Sequence, residues 1–220
     1  MSDRSVALMT SDRTASDSQA ERRRAELEAN MARAAAAPHL RQDCCLAPGE
    51  DLWVFGYGSL MWNPGFPFVQ SGLARLAGFH RKLCVYSFHY RGQPEKPGLV
   101  FGLDRGGSCI GMGFGVAAKD WPQTWDYLRA REQVTMVYRE LFKDVTLADG
   151  RRVKALTYVV DRRHSQCACG LGDEEIARLV RQGAGVAGLN TDYVRNTHAH
   201  LKDLGITDPA LERIVALLGD

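Results

Sequence analysis

The sequence predicts an α+β fold with a mainly antiparallel sheet. Strand patterns dominate residues 52–160, and helical patterns crowd together after residue 173. Between two alternating runs lies Ala148-Asp149-Gly150, a turn signal that predicts a hairpin and therefore antiparallel neighbours.

Residues 1–50 stand apart from this pattern. They hold no aromatic residue and few large aliphatic ones, and they are rich in Asp, Arg, Ser and Ala. Gln19–Ala37 has high helix propensity, but its only large apolar residues are Leu27 and Met31, at i, i+4. The expectation is a tail that is disordered or forms one loose helix, followed by a single folded domain over 51–220.

Leu52–Gly56 reads as the first strand and runs into the turn-like Gly-Tyr-Gly-Ser. Arg81–Tyr90 alternates aromatic and β-branched residues with polar ones and reads as the next strand. The Pro/Gly loop Arg91–Gly98 follows, then a short strand over Leu99–Leu103. In Cys109–Val116 the glycines at 111, 113 and 115 share one strand face. A face of glycine alone calls for a close neighbour, here expected to be a helix or a ligand. Asp120–Glu132 reads as a helix with Asp120 as N-cap and Pro122 in the first turn. Tyr138–Leu147 and Arg151–Val160 are the arms of the hairpin. The closing helices are expected over Asp173–Gln182, Thr191–Leu204 and from Asp208-Pro209 to about Leu218.

One carboxylate sits where a carboxylate is costly. Trp121, Trp125 and Leu128 form the apolar stripe of their helix, and the next step of four lands on Glu132. Glu132 also lies at the helix C-terminus, where the dipole disfavours negative charge. Burial and dipole both raise its pKa, as a proton-transfer group working near neutral pH requires. The spacing leaves a second reading open, in which Glu132 pairs with an arginine such as Arg129 or is solvated past the helix end.

The second candidate is Phe55-Gly56-Tyr57-Gly58-Ser59-Leu60. Two glycines around a tyrosine permit a sharp turn whose successive N–H groups converge on one locus, a nest for a carboxylate. Other patterns carry less. Gly183–Gly188 matches G-x-G-x-x-G but follows a helix, so it reads as a connector rather than a dinucleotide site. Ser59 lacks a nucleophile elbow, and His198 and His200 point to different helix faces. Arg91–Gly98 suits a rigid polar rim beside a pocket.

In chain order, FGYGSLMW at Phe55–Trp62, RGQPEKPG at Arg91–Gly98, YLRAREQVTMVY at Tyr127–Tyr138 and LGITDPAL at Leu204–Leu211 resemble the ChaC-type γ-glutamylcyclotransferases, specifically their bacterial branch. The resemblance spans roughly 51–218. It implies a small, mostly antiparallel β-barrel with packed helices and cleavage of glutathione to 5-oxoproline and cysteinylglycine. It places the family's glutamate at Glu132 and its substrate loop at Tyr57, Gly58, Ser59 and Leu60. Related activities kept open are cyclisation of other γ-glutamyl amines or peptides, and a non-catalytic binding module of the same fold. Where relatives often carry a tyrosine after the last strand, this chain has Cys167-Ala168-Cys169.

Bulk properties exclude several classes. The formal charge is +2, from 28 Lys and Arg against 26 Asp and Glu, and the basic residues are scattered, so no nucleic-acid partner is expected. No apolar run reaches membrane length, and the N-terminal MSDRSVALMTSDR lacks the apolar core of a signal peptide, so a cytoplasmic address is expected. The 6 cysteines contain no C-x-x-C pair and read mainly as reduced structural thiols, so neither metal nor cofactor is expected.

Overall fold

The computed structural model describes residues 17–32 and 52–219. The adjacent Cys44 and Cys45, and the expectations for the rest of the tail, fall outside that range.

Residues 17–32 form helix α1. Strand β1 (Leu52–Gly56) leads into a short 3-10 turn, Ser59–Met61. Strands β2 (Gln70–Ser87) and β3 (Gly98–Val116) form a long hairpin, helix α2 covers Trp121–Glu132, and β4 (Tyr138–Leu147) and β5 (Arg152–Val160) form the second hairpin. The order β1-β3-β2-β4-β5 closes into a barrel. Four of its junctions are antiparallel, and a short parallel pairing of β1 with β5 (Trp53 with Ala155, Val54 with Leu156) shuts it. Helices α3 (Asp173–Gln182), α4 (Asn190–Asp203) and α5 (Pro209–Leu218) pack together against the main core. The glycine-rich connector between α3 and α4 folds as a small hairpin, β6 (Ala184–Gly185) with β7 (Gly188–Leu189). No helix among the described residues is long and apolar enough to cross a membrane.

The α+β barrel and the element order agree with the sequence reading, but β2 and β3 are longer than expected. Residues 70–80 join β2, and the two short runs at 99–103 and 109–116 are one strand. The cause is a bulge. Gly78 on β2 and Gly106 and Gly107 on β3 all have positive φ, and pairing skips from Ala77–Ser108 to Phe79–Arg105 around them. The break between the two expected strands is a bend that lets β2 and β3 curve around the barrel.

The glycine face of β3 is approached by neighbouring strands rather than by a helix. A Cβ on Gly111 would stand 2.2 Å from the Gly56 carbonyl oxygen and 2.9 Å from the Phe55 ring. Gly111 therefore admits β1 and its Phe55 ring, whereas Gly115 makes room for Gln70 of β2. On the opposite face, Phe114 and Val116 join Trp121, Trp125 and Leu128 of α2 in a second buried cluster. Asp120 does not cap α2. It ends a 3-10 turn (Ala118–Asp120) in helical backbone geometry, and its side chain makes no capping bond. Asp208 does cap α5, accepting from Leu211 N at 3.1 Å.

Asn190 fastens the helical layer to the barrel. It is fully buried at the start of α4, and its amide accepts from Leu99 N and donates to Leu99 O, both at 2.7 Å, as a strand neighbour would. Asn190→Ala orphans both backbone groups. The expected loss is about 2–4 kcal/mol of unfolding free energy, checked by urea denaturation.

Candidate active site

A cavity of about 540 Å³ opens at the end of the barrel where β1 hands over to the 3-10 turn. Glu132 lines it, as do Tyr57, Gly58, Ser59 and Leu60. The two candidates identified separately in the sequence thus meet at one site. Phe55 and Gly56 lie one step behind. Both are buried in β1, the Phe55 carbonyl accepts from Thr157 Oγ1 at 3.2 Å, and neither reaches the cavity.

The loop is held from two sides. From the rear, the buried Arg81 donates to Tyr57 O (2.5 Å) and Ile110 O (2.7 Å) and pairs with Asp208 (3.0 Å). Met61 N returns to Gly58 O at 2.9 Å, which closes the turn. The opening N–H groups of such a turn have no carbonyl within it to donate to, and here they begin beside the cavity. From the front, Arg131 Nη2 donates to Ser59 Oγ at 3.0 Å.

Arg131 also decides the environment of Glu132. Its Nε stands 3.2 Å from Glu132 Oε1, and its Nη1 donates to Asn63 O (2.6 Å) and Tyr127 Oη (2.9 Å). Glu132 therefore does pair with an arginine, but the partner is its chain neighbour, and the pair stays in the cavity wall. Arg129, the partner considered from spacing, is committed to Glu140 through two bonds of 3.0 and 2.8 Å. The Glu132 side chain retains 17% exposure. Desolvation raises its pKa, and the Arg131 charge and hydrogen bond offset this only in part.

The rest of the wall escaped the sequence reading. Tyr138 and Tyr193 line the cavity beside Tyr57, and Tyr158 completes the group. All four hydroxyls titrate above the ordinary tyrosine value, chiefly through burial, with Tyr193 raised to about 12. Tyr138 Oη donates to Phe101 O at 2.7 Å. These tyrosines come from β4, β5 and α4, so no local motif announces them. Gln166 was missed too. It is 5% exposed, its Nε2 donates to Tyr86 O at 2.9 Å, and its Oε1 has no partner. Of the Arg91–Gly98 rim, Arg91 reaches the cavity, stacked 5.2 Å from the Tyr193 ring centre. Glu95 turns instead to Arg24 of α1, at 2.5 Å. Leu27 and Met31 of α1 line the same cavity. His198 and His200 are not among its lining residues, and among the described residues no three His, Cys, Asp or Glu side chains are placed to hold a metal ion.

The profile of the ChaC-like proteins matches residues 52–219. The chain belongs to the ChaC-like family. It is 31% identical over 196 residues to the glutathione-specific γ-glutamylcyclotransferase of Escherichia coli K12, covering 89% of this chain and 80% of that protein. It is 31% identical to human glutathione-specific γ-glutamylcyclotransferase 1, over 66% of this chain and 67% of that one. The crystal structure of a yeast γ-glutamyl cyclotransferase specific to glutathione shares the fold, with a TM-score of 0.70 at 20% identity over 77% of this chain and 96% of that one.

The raised pKa of Glu132 has a consequence for stability. The unfolded chain gives up this proton first as pH rises, so the folded state loses stability from the ordinary glutamate pKa up to the raised one. Glu132→Gln removes that loss. The variant is expected to match the wild type near about pH 4 and to exceed it near about pH 8, as read from melting temperatures across pH.

Proposed function

We propose that this chain cleaves glutathione to 5-oxoproline and cysteinylglycine, with Glu132 moving the protons and Tyr57–Leu60 holding the γ-glutamyl group. The observation that carries the reading is the convergence of one partly desolvated carboxylate and the Tyr57–Leu60 turn on the wall of a single cavity.

The reaction is an internal aminolysis. The α-amine of the γ-glutamyl group attacks its own γ-carbonyl, a five-membered lactam closes, and the cysteinyl nitrogen departs. At neutral pH the amine is mostly ammonium and cannot attack. The Glu132 carboxylate takes its proton and afterwards delivers one to the departing nitrogen, a role that a raised pKa suits. Curling the flexible chain into attack geometry costs entropy. Positioning contributes up to ~7–11 kcal/mol in well-oriented systems. The N–H groups of Tyr57–Leu60 supply that grip by binding the α-carboxylate. Arg131 is occupied at all three nitrogens and acts as the brace that sets the distance between grip and base. At the far rim, the Arg91 cation faces the carboxylate of the glycine end. The cytoplasmic address expected from the sequence belongs to the same proposal.

Glu132→Gln preserves shape and removes titration. It is expected to lower 5-oxoproline release from glutathione by roughly 10²–10⁴-fold. A folded variant that releases 5-oxoproline at the wild-type rate would exclude Glu132 as the base.

Leaving-group preference is tested at Arg91. Arg91→Ala is expected to raise KM for glutathione about ten-fold, equivalent to roughly 1.4 kcal/mol of binding, with kcat little changed. For a γ-glutamyl amide without the terminal carboxylate, the same substitution should leave KM unaltered. Equal effects on both substrates would point to the wider γ-glutamyl amine activity instead.

A further inference from the structure

Next to the Gln166 wall lie three thiols that the reaction above does not use. Cys84 is fully buried on β2, whereas Cys167 and Cys169 are partly exposed on the stretch after β5. All three are free. Cys167 Sγ stands 2.6 Å from Cys169 Sγ and donates to it. The stretch is fastened in place. Cys167 forms a backbone bridge with Val85, Ala168 N donates to Cys84 O at 2.8 Å, and Lys82 Nζ donates to Cys169 O at 2.7 Å.

This geometry assigns the sulfurs different chemistry. The neighbouring Cys84 and Cys167 thiols favour the Cys169 anion, and the Arg162 guanidinium adds to that effect. Burial and the Asp104 carboxylate oppose it, but Asp104 is itself gripped by Arg162 at 2.7 and 2.8 Å. The balance holds Cys169 down to about 6, and Cys167 is pushed up to about 11 by burial and by its bond to Cys169. At neutral pH a thiolate and a protonated thiol therefore stand close to sulfur–sulfur bonding distance, which is roughly 2.03–2.05 Å.

We propose that Cys167 and Cys169 form a dithiol–disulfide site, with Cys169 attacking a small-molecule disulfide and Cys167 resolving the adduct. In the first step Cys169 sulfur bonds to one sulfur of the reagent, whose own S–S bond breaks, and the other half leaves as a thiolate that takes up a proton. In the second step Cys167 loses its proton and bonds to Cys169 sulfur, expelling the remaining half. The protein thiols lose two electrons and two protons, and the reagent ends as two thiols. Cys84, without exposure, takes no part in the exchange.

The test treats the full chain with bis(2-hydroxyethyl) disulfide. This reagent has no γ-glutamyl group, so the outcome does not depend on the cyclotransferase reading. After denaturing and trapping with N-ethylmaleimide, the tryptic peptide 164–178, which contains both cysteines, is weighed. The wild-type peptide is expected to carry no label and to be two hydrogens lighter. Cys167→Ser should retain a mercaptoethanol adduct on Cys169, and Cys169→Ser should leave Cys167 labelled. A wild-type peptide that keeps both labels overturns the site. A persistent adduct in the wild type overturns the resolving role, and Cys169→Ser reacting as fast as the wild type overturns the attacking one.

Discussion

A carboxylate withdrawn from water must be compensated or must hold its proton more tightly, and the candidate site depends on compensation that is incomplete. Arg131 offers Glu132 a single nitrogen at 3.2 Å, while its other two nitrogens serve Asn63, Tyr127 and Ser59. A few residues away the same chemistry is complete. Arg129 gives Glu140 two parallel bonds, the fork geometry that binds a carboxylate most strongly. The contrast between these two arginines of one helix separates a structural ion pair, tied to β4, from a group left able to exchange a proton. Because Arg131 also grips Ser59, the side chain that tunes Glu132 is the one that positions the loop.

The barrel explains why such a site holds its shape. The loop leaves β1, whose Phe55 and Gly56 fit against Gly111 only because that residue has no side chain. Arg81 anchors the loop carbonyl from within the fold and carries the tie onward to Asp208, the cap of α5. Asn190 does the equivalent for α4, which brings Tyr193 to the cavity. A grip built on strand ends and braced by buried polar bonds keeps substrate atoms within narrow limits more readily than a free loop does.

Short-range pattern was enough for much of this. β1, the hairpin at 148–150, the glycine loop and the stripe ending at Glu132 each follow from a period or a turn within a dozen residues. The failures share a cause. The bulge at Gly78, Gly106 and Gly107 leaves 99–103 and 109–116 looking like separate strands, because the strand that carries β3 through it is distant in the chain. The neighbours of the β3 glycines, the tyrosines of the wall and the Arg131–Ser59 bond are likewise contacts between distant segments, and no local spacing encodes them. Asp120 failed as a cap for a local reason, since the preceding 3-10 turn already places its backbone in the helix.

The tyrosine wall completes the electrostatic logic. Tyr57 and Tyr158 are buried and Tyr138 and Tyr193 half-buried, and desolvation raises the pKa values of all four, so they stand around Glu132 as neutral hydroxyls. A neutral, poorly hydrated wall lowers the local dielectric without adding a cation that would fix the Glu132 proton balance. A second arginine beside Glu132 would pull its pKa down and leave a poorer proton acceptor, and a water-filled wall would do much the same by solvating the anion. With one shared guanidinium and a shell of uncharged rings, the carboxyl is left between those limits, where it can take a proton from an ammonium group and give it to a departing nitrogen.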